Sequence, residues 1–204
     1  MKINKLVLEA NELLKNAGFD YAFCGGQALD IFLGYESRVH GDIDICAFWE
    51  DRDKIIDYML SRGYKVYEML GGGRVHPVPG TARLVRLKKN IFCCLEGCPL
   101  VKLYPIEEDG NCWMEFFHVG QTKLDYIEFL FNDKTPDLEK AIRLADGIPY
   151  LSPEMILLYK STDTDREGYQ QDFELACKAM SDEQKQWLQT ALRQKFPDGH
   201  KWII

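Results

Sequence analysis

Residues 23 to 51 read FCGGQALDIFLGYESRVHGDIDICAFWED, and the order of patterns in them leaves few ways to fold. The short apolar run "DYAFC" meets a pair of glycines, Gly25 and Gly26. An apolar face at helical spacing follows in Ala28, Leu29, Phe32 and Leu33. "GDIDICAF" then alternates, with Ile43 and Ile45 on one side and Asp42 and Asp44 on the other. The hydrophobic period changes from that of a helix to that of a strand, so the stretch is a strand, a glycine turn, a helix and a second strand. "DRDKIIDYMLSRG" returns to helical spacing and stops at Gly63.

On either side of this block the signals are plainer. Ile3, Leu6, Val7, Ala10, Leu13 and Leu14 predict a helix within residues 3–17, closed by Gly18 where a left-handed cap belongs. From 64 to 132, aromatic and β-branched runs ("YKVYEML", "ARLVRL", "LVKLYPI", "CWMEFFHV", "KLDYIEFLF") are punctuated by Gly, Pro and Asp-Gly, which predicts mostly antiparallel strands. "LGGGRVHPVPG", residues 70–80, reads as a loop. Helices are expected at about 152–162, 168–179 and 182–196, with Ser152 capping the first ahead of Pro153 and Ser181 capping the third. An α/β portion over residues 1–135 and a helical portion over 136–204 follow, with the seam near 133–150.

A chain of 204 residues, 46% hydrophobic and 12% aromatic, can bury a core without staples, as one domain or a compact pair of subdomains. Its net charge of −7 argues against a surface whose task is to coat nucleic acid, although "RLVRLKK" at 83–89, with Arg38 and Arg74, leaves room for a local basic patch. No stretch has the length and apolarity of a membrane span, and a cytoplasmic protein is expected. Seven cysteines with no secretion signal read as reduced thiols. "CCLEGC" with Cys112 and His118 invites a zinc site, but adjacent Cys93 and Cys94 on a strand point to opposite faces.

Asp42 and Asp44 project to one face of a strand, close enough to share a divalent cation; unpaired, they would repel and raise each other's pKa. Mg2+ takes a few carboxylate oxygens and fills its shell with water and phosphate oxygens. The Gly-Gly turn supplies the complementary half, because N–H groups opening a helix hold phosphate and the missing side chains let it approach. Arg38 suits phosphate, and His40 suits either a phosphate or the orientation of an aspartate. Lys160 on the first carboxy-terminal helix can reach a triphosphate or pair with Asp172. Trp49, Trp113, Trp187 and Trp202 read as packing residues.

"GGQALDIFLGYESRVHGDIDI" resembles the signature of the DNA polymerase β-like nucleotidyltransferases, most closely the small bacterial branch of aminoglycoside and lincosamide nucleotidyltransferases. "DGIPYLSPEMILLYKS", the "DF" at 172–173 and the ending "GHKWI" are similar to the helical portion of relatives in that branch. The resemblance implies an α/β domain with a mixed sheet, followed by a small helical carboxy-terminal subdomain. It implies a nucleotide-binding turn at Gly25 and Gly26, and a metal-binding and catalytic pair at Asp42 and Asp44. The third carboxylate falls on Glu128 or Asp125, of which Glu128 fits the branch's pattern better; a glutamate where the family carries aspartate lengthens the side chain by one methylene. The cofactors implied are Mg2+ or Mn2+, with ATP or another nucleoside triphosphate as co-substrate. The expected reaction moves a nucleoside monophosphate, AMP foremost, to a hydroxyl of a small acceptor such as an aminoglycoside-type antibiotic. Two alternatives stand beside it: a toxin-like transferase acting on tRNA or protein, and a catalytically silent nucleotide-binding homologue.

Overall fold

A computed structural model of the chain describes residues 3–78, 88–107, 109–117 and 119–203. Helix α1 (Lys5–Leu14) opens where the Asn4 side chain accepts from the Leu6 N–H at 2.8 Å and buries Leu6, Val7, Ala10 and Leu14. Strand β1 (Tyr21–Phe23) leads into α2 (Gly25–Leu33), which ends at Gly34 in the left-handed region (φ 79°). Strand β2 (Asp44–Phe48) and α3 (Arg52–Ser61) complete the amino-terminal block. Strands β3 (Lys65–Gly71), β4 (Arg74–Pro77), β5 (Ile91–Cys94), β6 (Val101–Pro105), β7 (Cys112–Phe116) and β8 (Tyr126–Asn132) follow. The short helix α4 (Pro136–Ala141) precedes a hairpin of β9 (Ile142–Ala145) and β10 (Ile148–Leu151), and α5 (Pro153–Lys160), α6 (Tyr169–Ala179) and α7 (Asp182–Lys195) end the chain.

Among the described residues, ten strands form one mixed sheet in the order β6-β7-β4-β3-β5-β8-β2-β1-β10-β9. Strand β2 runs parallel to β8, and β1 parallel to β10; the remaining neighbours are antiparallel. The alternation in the sequence sorts side chains onto two faces. Ile45, Ile127, Phe129, Ile91, Cys93 and Val66 belong to a large core shared with the helices. Tyr67, Phe92, Cys94 and Tyr126 belong to a second cluster closed by Val75, Leu100 and Val101. Cys93 and Cys94 thus enter different cores, as neighbours on a strand must, and all seven cysteines are free thiols. His118 and residues 79–87, which carry all of "ARLVRL" and most of the 83–89 basic cluster, lie outside the described residues. Among the described residues no helix is long and apolar enough to cross a membrane.

Two local expectations are corrected, and one hairpin is added. In "LGGGRVHPVPG" the described residues 70–78 form a hairpin, not a loop: β3 continues to Gly71, Gly72 and Gly73 turn with positive φ (57° and 77°), and β4 begins at Arg74. Successive glycines supply the φ > 0 conformations a tight hairpin turn needs, so a glycine run that reads as a loop closes two strands. "DGIPYL" also carries strand, because Asp146 and Gly147 (φ 49° and 78°) turn β9 into β10, which pairs with β1. Ser152 occupies the N-cap position of α5, but its buried hydroxyl makes no cap hydrogen bond; its carbonyl accepts from Met155 and Ile156 instead. Ser181 does cap α7, in a reciprocal capping box with Gln184.

Candidate functional site

The site forms where α2 starts beside the start of β2. The Cys24 N–H donates to the Asp44 carbonyl at 2.9 Å, which fastens the end of β1 to the acidic segment. Gly25 then opens α2 with φ 64°, and a Cβ there would stand 2.1 Å from Asp44 Oδ2. A Cβ at Gly26 would stand 2.3 Å from His40 Cε1 and 2.4 Å from His40 Nδ1. Both glycines are therefore required by space, one against an acid and the other against an imidazole. Asp42 lies in the irregular segment just before β2 rather than within it.

Strand register supplies the next acid. Asp44 pairs with Glu128 across the parallel β2–β8 ladder, and paired residues on adjacent strands project to the same face. The row continues through Phe92 to Tyr67. Asp125 precedes β8 and is buried near Cys94 and Cys98. Burial, then the charges of Asp42 and Glu128, push the Asp44 carboxyl well above the usual carboxylate range. Burial also leads the rise of Glu128 to about 7, with Asp42 adding to it and the Tyr126 hydrogen bond and Arg166 opposing it. Arg166, exposed on the loop before α6, escaped sequence reasoning; only its place in "TDREG" between two helical patterns hinted at it.

The loop from α2 to β2 is pinned at two points. Asp30, buried on α2, accepts from the Ser37 N–H at 3.0 Å and the Ser37 hydroxyl at 2.5 Å, and its other oxygen meets His40 Nε2 at 2.7 Å. His40 is itself buried, so it supports the glycine turn from behind. Arg38 donates through Nε and Nη2 to the two oxygens of Asp172 at 3.2 and 3.1 Å. Lys160 Nζ donates to Asp172 Oδ2 at 2.9 Å and lies 3.9 Å from the centre of the Tyr169 ring. Burial raises the Asp172 pKa, but bonds and charges from Arg38 and Lys160 outweigh it and hold the carboxyl below its ordinary value. Burial pulls Lys160 below its ordinary value despite Asp172. Asp30 was not singled out by sequence, since a ten-residue separation across a loop does not by itself pair it with His40.

The tryptophans pack as expected at two positions: Trp202 is fully buried and stacks on Phe173 at 4.5 Å, and Trp49 stacks on Phe131 at 5.0 Å. Trp113 and Trp187 are each partly open to solvent.

The donor chemistry of Asp42, Asp44 and Glu128 is hard oxygen, which suits Mg2+ or Mn2+, and a cation offsets the burial and mutual repulsion that lift the Asp44 and Glu128 carboxyls. Among the described residues, no group of three or more His, Cys, Asp or Glu side chains is drawn together tightly enough to hold an ion. Asp44 and Glu128 thus share a face, and Asp42 shares their field, without a closed ligand ring.

With this geometry in hand, the likenesses to known proteins are informative. A family model described as aminoglycoside-2''-adenylyltransferase matches residues 6–78, the block from α1 to β4. No curated protein matches the sequence. The crystal structure of ANT(2'')-Ia in complex with adenylyl-2''-tobramycin is similar over 95% of this chain and 99% of that one, with a TM-score of 0.57 at 16% identity. The solution structure of the antibiotic-resistance factor ANT(2'')-Ia gives 0.55 at 15% identity, over 95% of this chain and 92% of that one. The lincomycin-bound lincosamide antibiotic adenylyltransferase LnuA gives 0.56 at 16% identity, over 87% and 98%. At such identities the likeness is one of architecture: this chain shares with these adenylyltransferases a mixed α/β core sheet with a smaller carboxy-terminal helical subdomain.

Proposed function

We propose that this protein is a divalent-metal-dependent nucleotidyltransferase that moves a nucleoside monophosphate, AMP foremost, from a nucleoside triphosphate to a hydroxyl of a small molecule, with aminoglycoside-type antibiotics the first acceptors to test. The observation that carries this reading is the meeting of Gly25, Asp44 and Glu128: a side-chain-free helix start against one acid, in register with another. The family match over residues 6–78 supports it.

In this reading the N–H groups opening α2 hold the triphosphate, and no side chain at Gly25 or Gly26 bars its approach. Arg38, whose side chain is 28% exposed beside its bond to Asp172, faces phosphate, while His40 and Lys160 act from behind. Asp42, Asp44 and Glu128 are the residues that would hold Mg2+ or Mn2+, which when bound supplies charge neutralisation and eases loss of the acceptor proton. Glu128 accepts the hydroxyl proton as the acceptor oxygen bonds to the α-phosphorus. The bond from that phosphorus to the β-phosphate oxygen breaks, and pyrophosphate leaves with the electron pair.

A second reading, a catalytically silent nucleotide-binding homologue, is favoured by the open arrangement of the acids. The deciding experiment is calorimetric titration of each nucleoside triphosphate with and without Mg2+, into the protein and into an Asp42→Asn/Asp44→Asn variant. Magnesium-dependent binding that the variant loses is expected, and equal binding by both proteins removes the site assignment. Turnover then separates the readings: Glu128→Gln should reduce transfer more than it weakens binding, and Asp125→Asn should leave both near the wild-type level. Binding without transfer to any acceptor favours the silent homologue.

A further inference from the structure

Glu128 does not reach the site unaided. Two residues earlier on the same strand face, the Tyr126 hydroxyl donates to Glu128 Oε1 at 2.6 Å. The Tyr126 ring is fully buried, stacked on Phe92 at 5.5 Å and tilted against Phe116 at 5.2 Å. Phe92 is in turn stacked on Tyr67 at 5.0 Å. The Gln121 side-chain amide donates to the Tyr126 carbonyl at 3.0 Å, so the backbone beneath the ring is held as well. The second core of the molecule thus ends in one fixed hydroxyl beside the acids.

Glutamate has one more rotatable bond than aspartate, and free it spreads its oxygens over several positions. A metal or proton-transfer site needs them held to within roughly half an ångström. A donor that fixes one oxygen leaves the other a defined position, the service that outer hydrogen-bond partners render to carboxylate ligands. We propose that Tyr126 is a positioning residue: its hydroxyl pins one oxygen of Glu128 so that the other is presented to the metal and the acceptor. The proposal rests on the nucleotidyltransferase reading above and assigns a task to the aromatic cluster that packing alone does not.

The test uses the full chain with Mn2+ and α,β-methylene-ATP, a nucleotide that cannot be transferred, and reads free Mn2+ by electron paramagnetic resonance. Tyr126→Phe keeps the ring and removes only the hydroxyl. It is expected to weaken nucleotide-dependent Mn2+ binding about tenfold or more, and to change it less than about twofold when Glu128→Gln is already present, because partners in one network are not additive. Unchanged or tighter binding in Tyr126→Phe, or the same loss in the Glu128→Gln background, overturns the proposal. If the wild type shows no nucleotide-dependent Mn2+ binding, the nucleotidyltransferase reading fails and the positioning role falls with it. Should Tyr126→Phe not fold, 3-fluorotyrosine at position 126 gives a second readout. Its fluorine resonance should move on addition of Mg2+ and the analogue in the wild type and stay fixed in Glu128→Gln, and no movement, or equal movement in both, overturns the proposal.

Discussion

At the scale of single residues, Gly25 leaves little room for replacement. It combines a positive φ with a Cβ position 2.1 Å from Asp44 Oδ2, so any side chain meets both strain and collision. Gly25→Ala is expected to cost about 1–3 kcal/mol of stability and to abolish magnesium-dependent nucleotide binding, as read by denaturant unfolding and calorimetry; normal binding would detach the glycine from the site. Glu128 makes a pH prediction. Its carboxyl rises from an ordinary 4.5 to about 7, through burial first and the charge of Asp42 next. The folded protein therefore binds this proton more tightly than the unfolded chain does. The stability it contributes is fully present below about 4.5 and is lost as pH rises through about 7. The ligand-free protein should lose melting temperature between pH 5 and pH 8, and Glu128→Gln should flatten part of that slope. Asp44, shifted in the same direction, accounts for slope that remains.

At the scale of elements, Asp172 joins three of them. From α6 it accepts from Lys160 on α5 and from Arg38 on the α2–β2 loop, and its side chain is 2% exposed. Removing one member of a buried charge cluster leaves the others uncompensated, at a cost of about 3–5 kcal/mol. Asp172→Ala is expected to show that loss in urea unfolding, and Asp172→Leu with Lys160→Met to recover much of it, since the second buried charge leaves with the first. A loss confined to the single variant identifies a structural clasp; equal losses would mean that Arg38 is the partner that counts. Asp172 was weighed from sequence as a tie for Lys160, and that pairing is present. Arg38 joins the same carboxylate because the glycine at 168, with φ 83°, leaves room for the guanidinium to pass, a proximity that no spacing along the chain reveals.

At the scale of the whole molecule, the carboxy-terminal helices are closed by the tail. Trp202 stacks on Phe173, its indole N–H donates to Gln170 at 2.8 Å, and its carbonyl accepts from Gln189 at 2.9 Å. Trp202→Ala is expected to cost about 3–5 kcal/mol, seen as a lower urea midpoint with an unchanged slope; a change within error would show the tail to be dispensable. Helix α7 was readable from its periodicity and the Ser181 capping box, since those signals are local. The β3–β4 and β9–β10 hairpins were not, because "GGG" and "DG" mark a turn without saying whether the flanking residues find partners. Strand β10 pairs with β1, far back in the chain, and only closure of the sheet decides that.

Local chemistry and period were enough to determine the strand–turn–helix–strand order around Gly25 and Gly26, the acidic character of Asp42 and Asp44, and the helical end of the chain, because those follow from neighbours in sequence. Tertiary structure alone decided that Glu128, rather than Asp125, stands in register with Asp44, that His40 turns inward to Asp30, and that Arg38 meets Asp172. The physical reason is the same in each case. A carboxylate, an imidazole or a guanidinium takes whichever partner the packed elements bring within hydrogen-bond reach, and residues as distant as Arg38 and Asp172 meet only after the sheet and helices have set their separation.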